Sequence, residues 1–223
     1  MDTIFKGDLA TPAGRRLAWI DALLTDHALI RYVHPNFHMV VPGALYRAAH
    51  PMPSQMERYV ERHGIRTIIN LRGQAKNGTD ALSREAAQRL GLQFHDMALE
   101  SRGAPHRDRI LRIASIYASM PRPGLVHCKS GADRAGLAAG LFVMCSGGSA
   151  NEALRQLSLR YGHVAAAKTG ILDAFFRLYR DTAEGRIPFL RWVETEYDEA
   201  ALRESFKPRF TLDFITDRIL GRE

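Results

Sequence analysis

Leu125-Val126-His127-Cys128-Lys129-Ser130-Gly131-Ala132-Asp133-Arg134-Ala135-Gly136 passes from a short apolar run, through small and polar residues, into helical spacing that continues through Leu137, Leu141 and Phe142 to Gly147. This reads as a strand, a tight loop and a helix beginning near Arg134. Ser130, Gly131 and Ala132 let such a loop turn its backbone N–H groups toward one point, which makes a nest for an anion. The helix N-terminus adds the positive end of its dipole. The same field favours the thiolate of Cys128, the form of cysteine that acts as a nucleophile. Arg134, after five intervening residues, offers a planar fork that can hold two phosphate oxygens.

Outward from this loop the chain alternates between the two periodicities. Arg66-Thr67-Ile68-Ile69-Asn70-Leu71 is a short β-branched run closed by Gly73, and Leu92 to Leu99 is a further strand. Met39 to Arg47 reads as two short strands around Pro42-Gly43. Helices are expected over about 54–63, stopped by Gly64, over 80–90 with Thr79 or Asp80 as cap, and over about 106–119. The fold class is therefore α/β, a central mostly parallel sheet flanked by helices, with sites beyond the carboxyl ends of the strands. An N-terminal helix over about 12–30 has Thr11 to cap it, Pro12 in its first turn and an apolar stripe of Leu17, Ile20, Leu23 and Leu24. We expect one domain over 1–223, with its core over about 40–182 and a helical extension over about 183–223 that covers the sheet, meets a membrane surface or contacts a partner.

The Cys128–Arg134 loop resembles the phosphate-binding signature of the protein tyrosine phosphatase superfamily. Three further pieces are similar to the atypical dual-specificity phosphatases of plant and fungal type and their bacterial relatives. These are Gly43-Ala44-Leu45-Tyr46-Arg47-Ala48-Ala49-His50-Pro51, Gly64-Ile65-Arg66-Thr67-Ile68-Ile69-Asn70-Leu71-Arg72 and Ala165-Ala166-Ala167-Lys168. The resemblance implies a cysteine phosphatase of the dual-specificity fold. Cys128 is its nucleophile, Arg134 its phosphate clamp, and Lys129, Ser130, Gly131, Ala132 and Asp133 its binding loop. It also implies that His127 helps hold the thiolate. One departure stands out: the family carries Ser or Thr after the arginine, to help the cysteine leave, and here the residue is Ala135. Release of phosphate from the cysteine is then expected to be slow, unless Ser130 supplies the hydroxyl.

The leaving oxygen needs a proton. The family places an Asp in the loop that here reads Glu100-Ser101-Arg102-Gly103-Ala104-Pro105, which has none, so Glu100 is one candidate acid and Asp133, beside Arg134, the other. Lys129 and Lys168 suit a highly charged substrate, and Arg72 and Lys76 follow a strand end that opens toward the same mouth. The substrate classes left open are phosphotyrosine, phosphoserine or phosphothreonine in protein, a phosphoinositide, an inositol phosphate, and other lipid or sugar phosphates. A catalytically weak module that binds phosphorylated partners is the alternative.

Composition narrows the rest. The chain has 223 residues, 46% of them hydrophobic and 25% charged, with a net charge of +7, and it has no run apolar enough to span a membrane. The charge suits anionic partners, including a peripheral membrane contact. The basic residues are scattered rather than blocked together, which argues against nucleic acid. Two cysteines and no apolar leader point to a reducing cytoplasm. Cys145 is expected in the core. Nine histidines without ligand spacing give no metal site, and no cofactor is needed. The oligomeric state is left open.

Overall fold

The computed structural model describes Phe5 and residues 7–208. Five strands form one sheet in the order β1-β2-β5-β3-β4. β1 (His38–Val41) and β2 (Leu45–Ala49) flank the Pro42-Gly43 turn and pair antiparallel. β2, β5 (Gly124–Cys128), β3 (Thr67–Asn70) and β4 (Gln93–Asp96) run parallel. The expected α/β sheet is present, with one antiparallel edge. The strand expected over Leu92 to Leu99 stops at Asp96, because Met97 and Leu99 turn into core packing while their N–H groups bond to Asn70 and Leu71 carbonyls.

Helices cover both faces. α3 (Pro53–His63) and α4 (Gly78–Arg89) pack on one face, where Met56, Tyr59, Ala86 and Ala87 meet Tyr46, Ile68 and Leu125. Gly64 ends α3 in the left-handed conformation, as expected for a C-terminal glycine. α4 starts two residues earlier than expected: Asn77 is its cap and accepts the Asp80 N–H at 2.9 Å. The other face carries α5 (Arg107–Ser119), α6 (Asp133–Cys145), α7 (Ala150–Leu154), α8 (Ile171–Thr182) and α9 (Phe189–Thr195). Phe175, Phe176, Tyr179, Phe189 and Trp192 are all buried here. Burying such a ring contributes roughly 1.5–3 kcal/mol.

The helical extension packs on this helix layer rather than on the sheet. α10 (Glu199–Ser205) follows α9, the Tyr197 hydroxyl donates to the Pro105 carbonyl at 2.8 Å, and Glu199 accepts the Arg107 N–H at 2.6 Å. The part of the extension beyond residue 208 lies outside the described residues.

The N-terminal helix differs from expectation. It divides into α1 (Pro12–Ile20), a π-turn over Asp21–Thr25 and α2 (Ala28–Val33), with His27 at φ 53° between the last two. The division follows from two buried carboxylates. Asp21 accepts the Gly78 N–H at 2.7 Å, and Asp26 turns in to meet arginines. Small residues, Ala18, Ala22 and Ala28, form the buried face. The stripe of Leu17, Ile20, Leu23 and Leu24 therefore points outward.

Candidate functional site

Cys128 is the last residue of β5, level with Ala49 of β2. Alternation along the strand sends Val126 and Cys128 toward the α6 face and Leu125 toward the α3–α4 face. His127 follows Leu125, so the two neighbours in sequence lie on opposite sides of the sheet. His127 is fully buried and lies against His50, the rings tilted by 41° with centroids 4.4 Å apart. Burial, with Arg72, Arg31, Arg84 and Arg134 nearby, pushes it down to about 3, so it is a neutral imidazole. It brings no positive charge to Cys128.

The loop from Lys129 to Ala132 is held by its carbonyls. The Lys129 carbonyl accepts the His50 N–H at 3.2 Å, and that of Ser130 accepts the Asn36 side chain at 2.9 Å. Those of Gly131 and Ala132 both accept from Arg47 Nη2, each at 2.9 Å. In a trans peptide the N–H points opposite to the C=O. Fixing four successive carbonyls toward the scaffold therefore directs the following amides to the other side of the loop, the orientation that an anion nest requires. Gly131 adopts φ +75° and lies against the end of β2, where a Cβ would sit 2.6 Å from the Ala49 nitrogen. Only glycine fits there.

Arg47 is a residue that sequence reading quoted only within a motif. It lies in β2 on the Cys128 side of the sheet, fully buried, with its guanidinium 4.0 Å over the Tyr161 ring. Its Nη1 donates to the Gln156 carbonyl at 2.6 Å, which ties the loop to the segment after α7. Burial pushes it down to about 10, while Tyr161, Cys128 and Asp133 favour its charge, so it is a cation at neutral pH. The signal was an arginine in the middle of a short strand between Tyr46 and Ala48.

Arg134 is in the first turn of α6, half-buried, at the positive end of that helix. Asp133, also in that turn, is buried, and its Oδ1 accepts from His163 Nδ1 at 2.7 Å. The opposite ring nitrogen, Nε2, donates to Asp173 Oδ2 at 2.7 Å. Burial alone would lower His163, but the two carboxylates together outweigh it and raise it, and the ring joins α6 to α8. Nothing in the sequence reading singled out His163 or Asp173. A pairing of carboxylate, histidine and carboxylate across 40 residues has no local spacing to betray it.

Glu100 lies in the loop after β4. It meets Arg109, and its Oε2 accepts the His106 N–H at 3.3 Å, so it also holds the start of α5. Lys129 is 3.8 Å from Asp26 Oδ1, and the same carboxylate meets Arg72 at 3.0 Å and Arg31 at 2.7 Å. Arg72 thus lies beside the loop, as its position after β3 suggested, whereas Lys76 and Lys168 are exposed, Lys168 opening the short turn before α8. Burial would raise Asp26, but Arg31, Arg72 and Lys129 together hold it below the usual carboxylate range. Ala135 is buried in α6, and Ser130 Oγ accepts the Ala132 N–H at 3.4 Å. Cys145 closes α6, and burial pushes its thiol up to about 11. A 13-residue helix separates it from the loop by roughly 18 Å, far beyond disulfide reach.

His106, Asp108 and Glu199 bring ligand atoms within 4.8 Å of one another. Two of the three already bond to each other: Glu199 accepts from His106 Nδ1 at 2.7 Å, and it also accepts the Arg107 N–H at 2.6 Å.

A family model described as a DSP-PTPase phosphatase fused to NAD+ kinase matches residues 42–170. The fold is similar to that of P. aeruginosa TpbA, with a TM-score of 0.53, 18% identity, and 77% of this chain and 91% of that chain covered. It is also similar to Tk-PTP in a mutant form, with a TM-score of 0.50, 16% identity, and 66% of this chain and 97% of that chain covered. None of the curated proteins matches the chain.

Proposed function

The chain belongs to the dual-specificity type of the protein tyrosine phosphatases and is by that membership a phosphoric monoester hydrolase; as its mechanism, we propose a two-step transfer through Cys128. The Cys128 thiolate attacks phosphorus, and an S–P bond forms as the ester P–O bond breaks. The electron pair goes to the leaving oxygen, which takes a proton from a carboxyl. Water then attacks phosphorus and gives up a proton to the carboxylate, the S–P bond breaks with its electron pair returning to sulfur, and inorganic phosphate leaves with the thiolate and the carboxyl restored. Arg134 and the amides of residues 129–133 hold the non-bridging oxygens. The observation that carries this reading is the pinning of four successive loop carbonyls away from the place where an anion would sit.

Of the two candidate acids, Asp133 is inside the loop and is backed by His163 at 2.7 Å, which can pass it a proton. Glu100 is committed to Arg109 and to the start of α5. Phosphate release would be followed from a phosphotyrosine peptide, a phosphoserine peptide, a phosphoinositide, an inositol phosphate and a lipid phosphate. Cys128→Ser is expected to abolish release from every substrate that wild type hydrolyses. Asp133→Asn is expected to lower kcat on alkyl esters by about 10²-fold or more, and much less on aryl esters, whose oxygen leaves without a proton. A larger loss with Glu100→Gln would move the acid there.

Ala135 favours a second reading, phosphate binding with little turnover. It predicts a burst of alcohol product near one equivalent of protein, followed by slow steady release, and acceleration of the slow phase by Ala135→Ser. Release with no burst and no effect of Ala135→Ser would dismiss it.

A further inference from the structure

The described surface carries eleven large hydrophobic side chains that are well exposed, and nine of them fall between Leu17 and Val33. Leu24 is 67% exposed, Leu29 64%, Ile30 62% and Val33 64%, with Trp19 and Tyr32 beside them. A concentration of this kind is not what an ordinary solvated helix shows, and contiguous apolar surface marks an interaction site. Within the segment itself the exposed charges are cationic. From Thr11 to His34 the acidic residues are Asp21 and Asp26, both buried, while Arg15 and Arg16 are exposed. On the neighbouring α3, Arg58 lies over the Tyr32 ring at 5.5 Å. Arg15 is paired with Glu85 at 2.7 Å, so the cationic margin rests on Arg16 and Arg58. Apolar residues with tryptophan on one side, and cations beside them, are the features of a helical segment that lies in a membrane interface. No helix of the described residues is long and apolar enough to cross a membrane, so the contact is in the plane of the surface.

We propose that residues 17–33 seat this protein on an anionic phospholipid surface. A second copy of the chain gains nothing from an excess of cations at the margin, whereas anionic headgroups do. The same segment borders the Cys128–Arg134 loop. Asp26 reaches Lys129 at 3.8 Å from between Leu24 and Leu29, and Asn36, three residues past Val33, donates to the Ser130 carbonyl at 2.9 Å. Seating the face therefore brings the loop close to the lipid headgroups.

The full chain would be sedimented with vesicles of phosphatidylcholine alone and of phosphatidylcholine mixed with phosphatidylglycerol. Binding is expected to the mixed vesicles, to weaken severalfold at high salt, and to be slight on phosphatidylcholine. Leu24→Asp with Ile30→Asp, and separately Leu29→Gln with Val33→Gln, are expected to cut partition roughly tenfold or more. Release of phosphate from a soluble aryl ester by these variants should equal that of wild type, which separates this surface from the chemistry. Trp19 gives a reading that needs no variant. It is exposed and Trp192 is buried, so the emission should shift to the blue on mixed vesicles. Absence of binding and of the shift would overturn the proposal, and so would variants that bind as wild type does. A wild-type dimer that both variants dissolve would assign the face to a second copy instead.

Discussion

Arg47 holds a full charge inside the protein, and its position is tolerated because every direction of its fork but one finds an acceptor or a ring. Removing it leaves the Gly131, Ala132 and Gln156 carbonyls without this donor, a cost of about 3 kcal/mol for a buried, hydrogen-bonded charge. The loop then loses the restraint that aims its amides. Arg47→Met is expected to lower kcat/KM on a soluble aryl phosphate by about 10²-fold, the scale of a 1 Å misplacement, and to lower the urea midpoint. Arg47→Lys keeps the charge but not the fork, so it should regain stability more than activity. His163 makes a separate prediction. Its raised value means that its pairing with Asp133 and Asp173 stabilises the fold fully below the ordinary histidine value of about 6.5. That contribution fades as pH rises through the raised value. His163→Gln should remove this alkaline decline from a plot of urea midpoint against pH, between roughly pH 5 and 9.

The β5–loop–α6 element depends on one backbone conformation. Gly131 and Gly43 share a left-handed φ, +75° and +66°, but only at Gly131 would a Cβ meet backbone, the Ala49 nitrogen at 2.6 Å and the Ala48 carbonyl carbon at 2.7 Å. Gly43→Ala should cost about 1 kcal/mol of left-handed strain and leave activity intact. Gly131→Ala must also displace the end of β2 or the loop, and should abolish most phosphate release while costing at least twice as much stability. Equal effects at the two positions, by kinetics and denaturation, would show that φ alone matters. The glycine, the strand before it and the helix after it were legible in the sequence because each is a local pattern: a turn residue, a short apolar run, a helical spacing. The mostly parallel sheet was announced by the alternation of strands and helices, but the order of its strands was not, because that order is set by contacts distant in sequence. The division of the N-terminal helix was not legible, because it depends on a buried face of alanine and aspartate while the apolar stripe that marked the helix lies on the outside. Arg47, His163 and Asp173 act through partners far away in sequence, so composition and spacing carried no trace of their pairing.

Asp26 joins three parts of the molecule: the N-terminal segment through Arg31, the end of β3 through Arg72 and the start of the loop through Lys129. Because those cations hold its carboxyl below the usual range, its contribution to stability is present above the unfolded aspartate value of about 3.9. It is lost as pH falls through the lowered folded value. Asp26→Asn should therefore lower the neutral-pH stability by about 3–5 kcal/mol, the cost of breaking a buried ion pair, and should flatten the acid limb of the stability curve. The consequence for the loop has the opposite sign. Arg31, Arg72 and Lys129 together lose an anion that offsets them, so an oxyanion such as tungstate should bind the variant more tightly. By mass action, the tungstate-induced rise in Tm should then be larger in Asp26→Asn than in wild type, even though the variant starts lower. A rise no larger than that of wild type would mean that the cluster is sealed from the loop and that Asp26 acts on stability alone. It would also mean that the positive field at the site comes from Arg134, Arg47 and the N-terminus of α6, without help from the N-terminal segment.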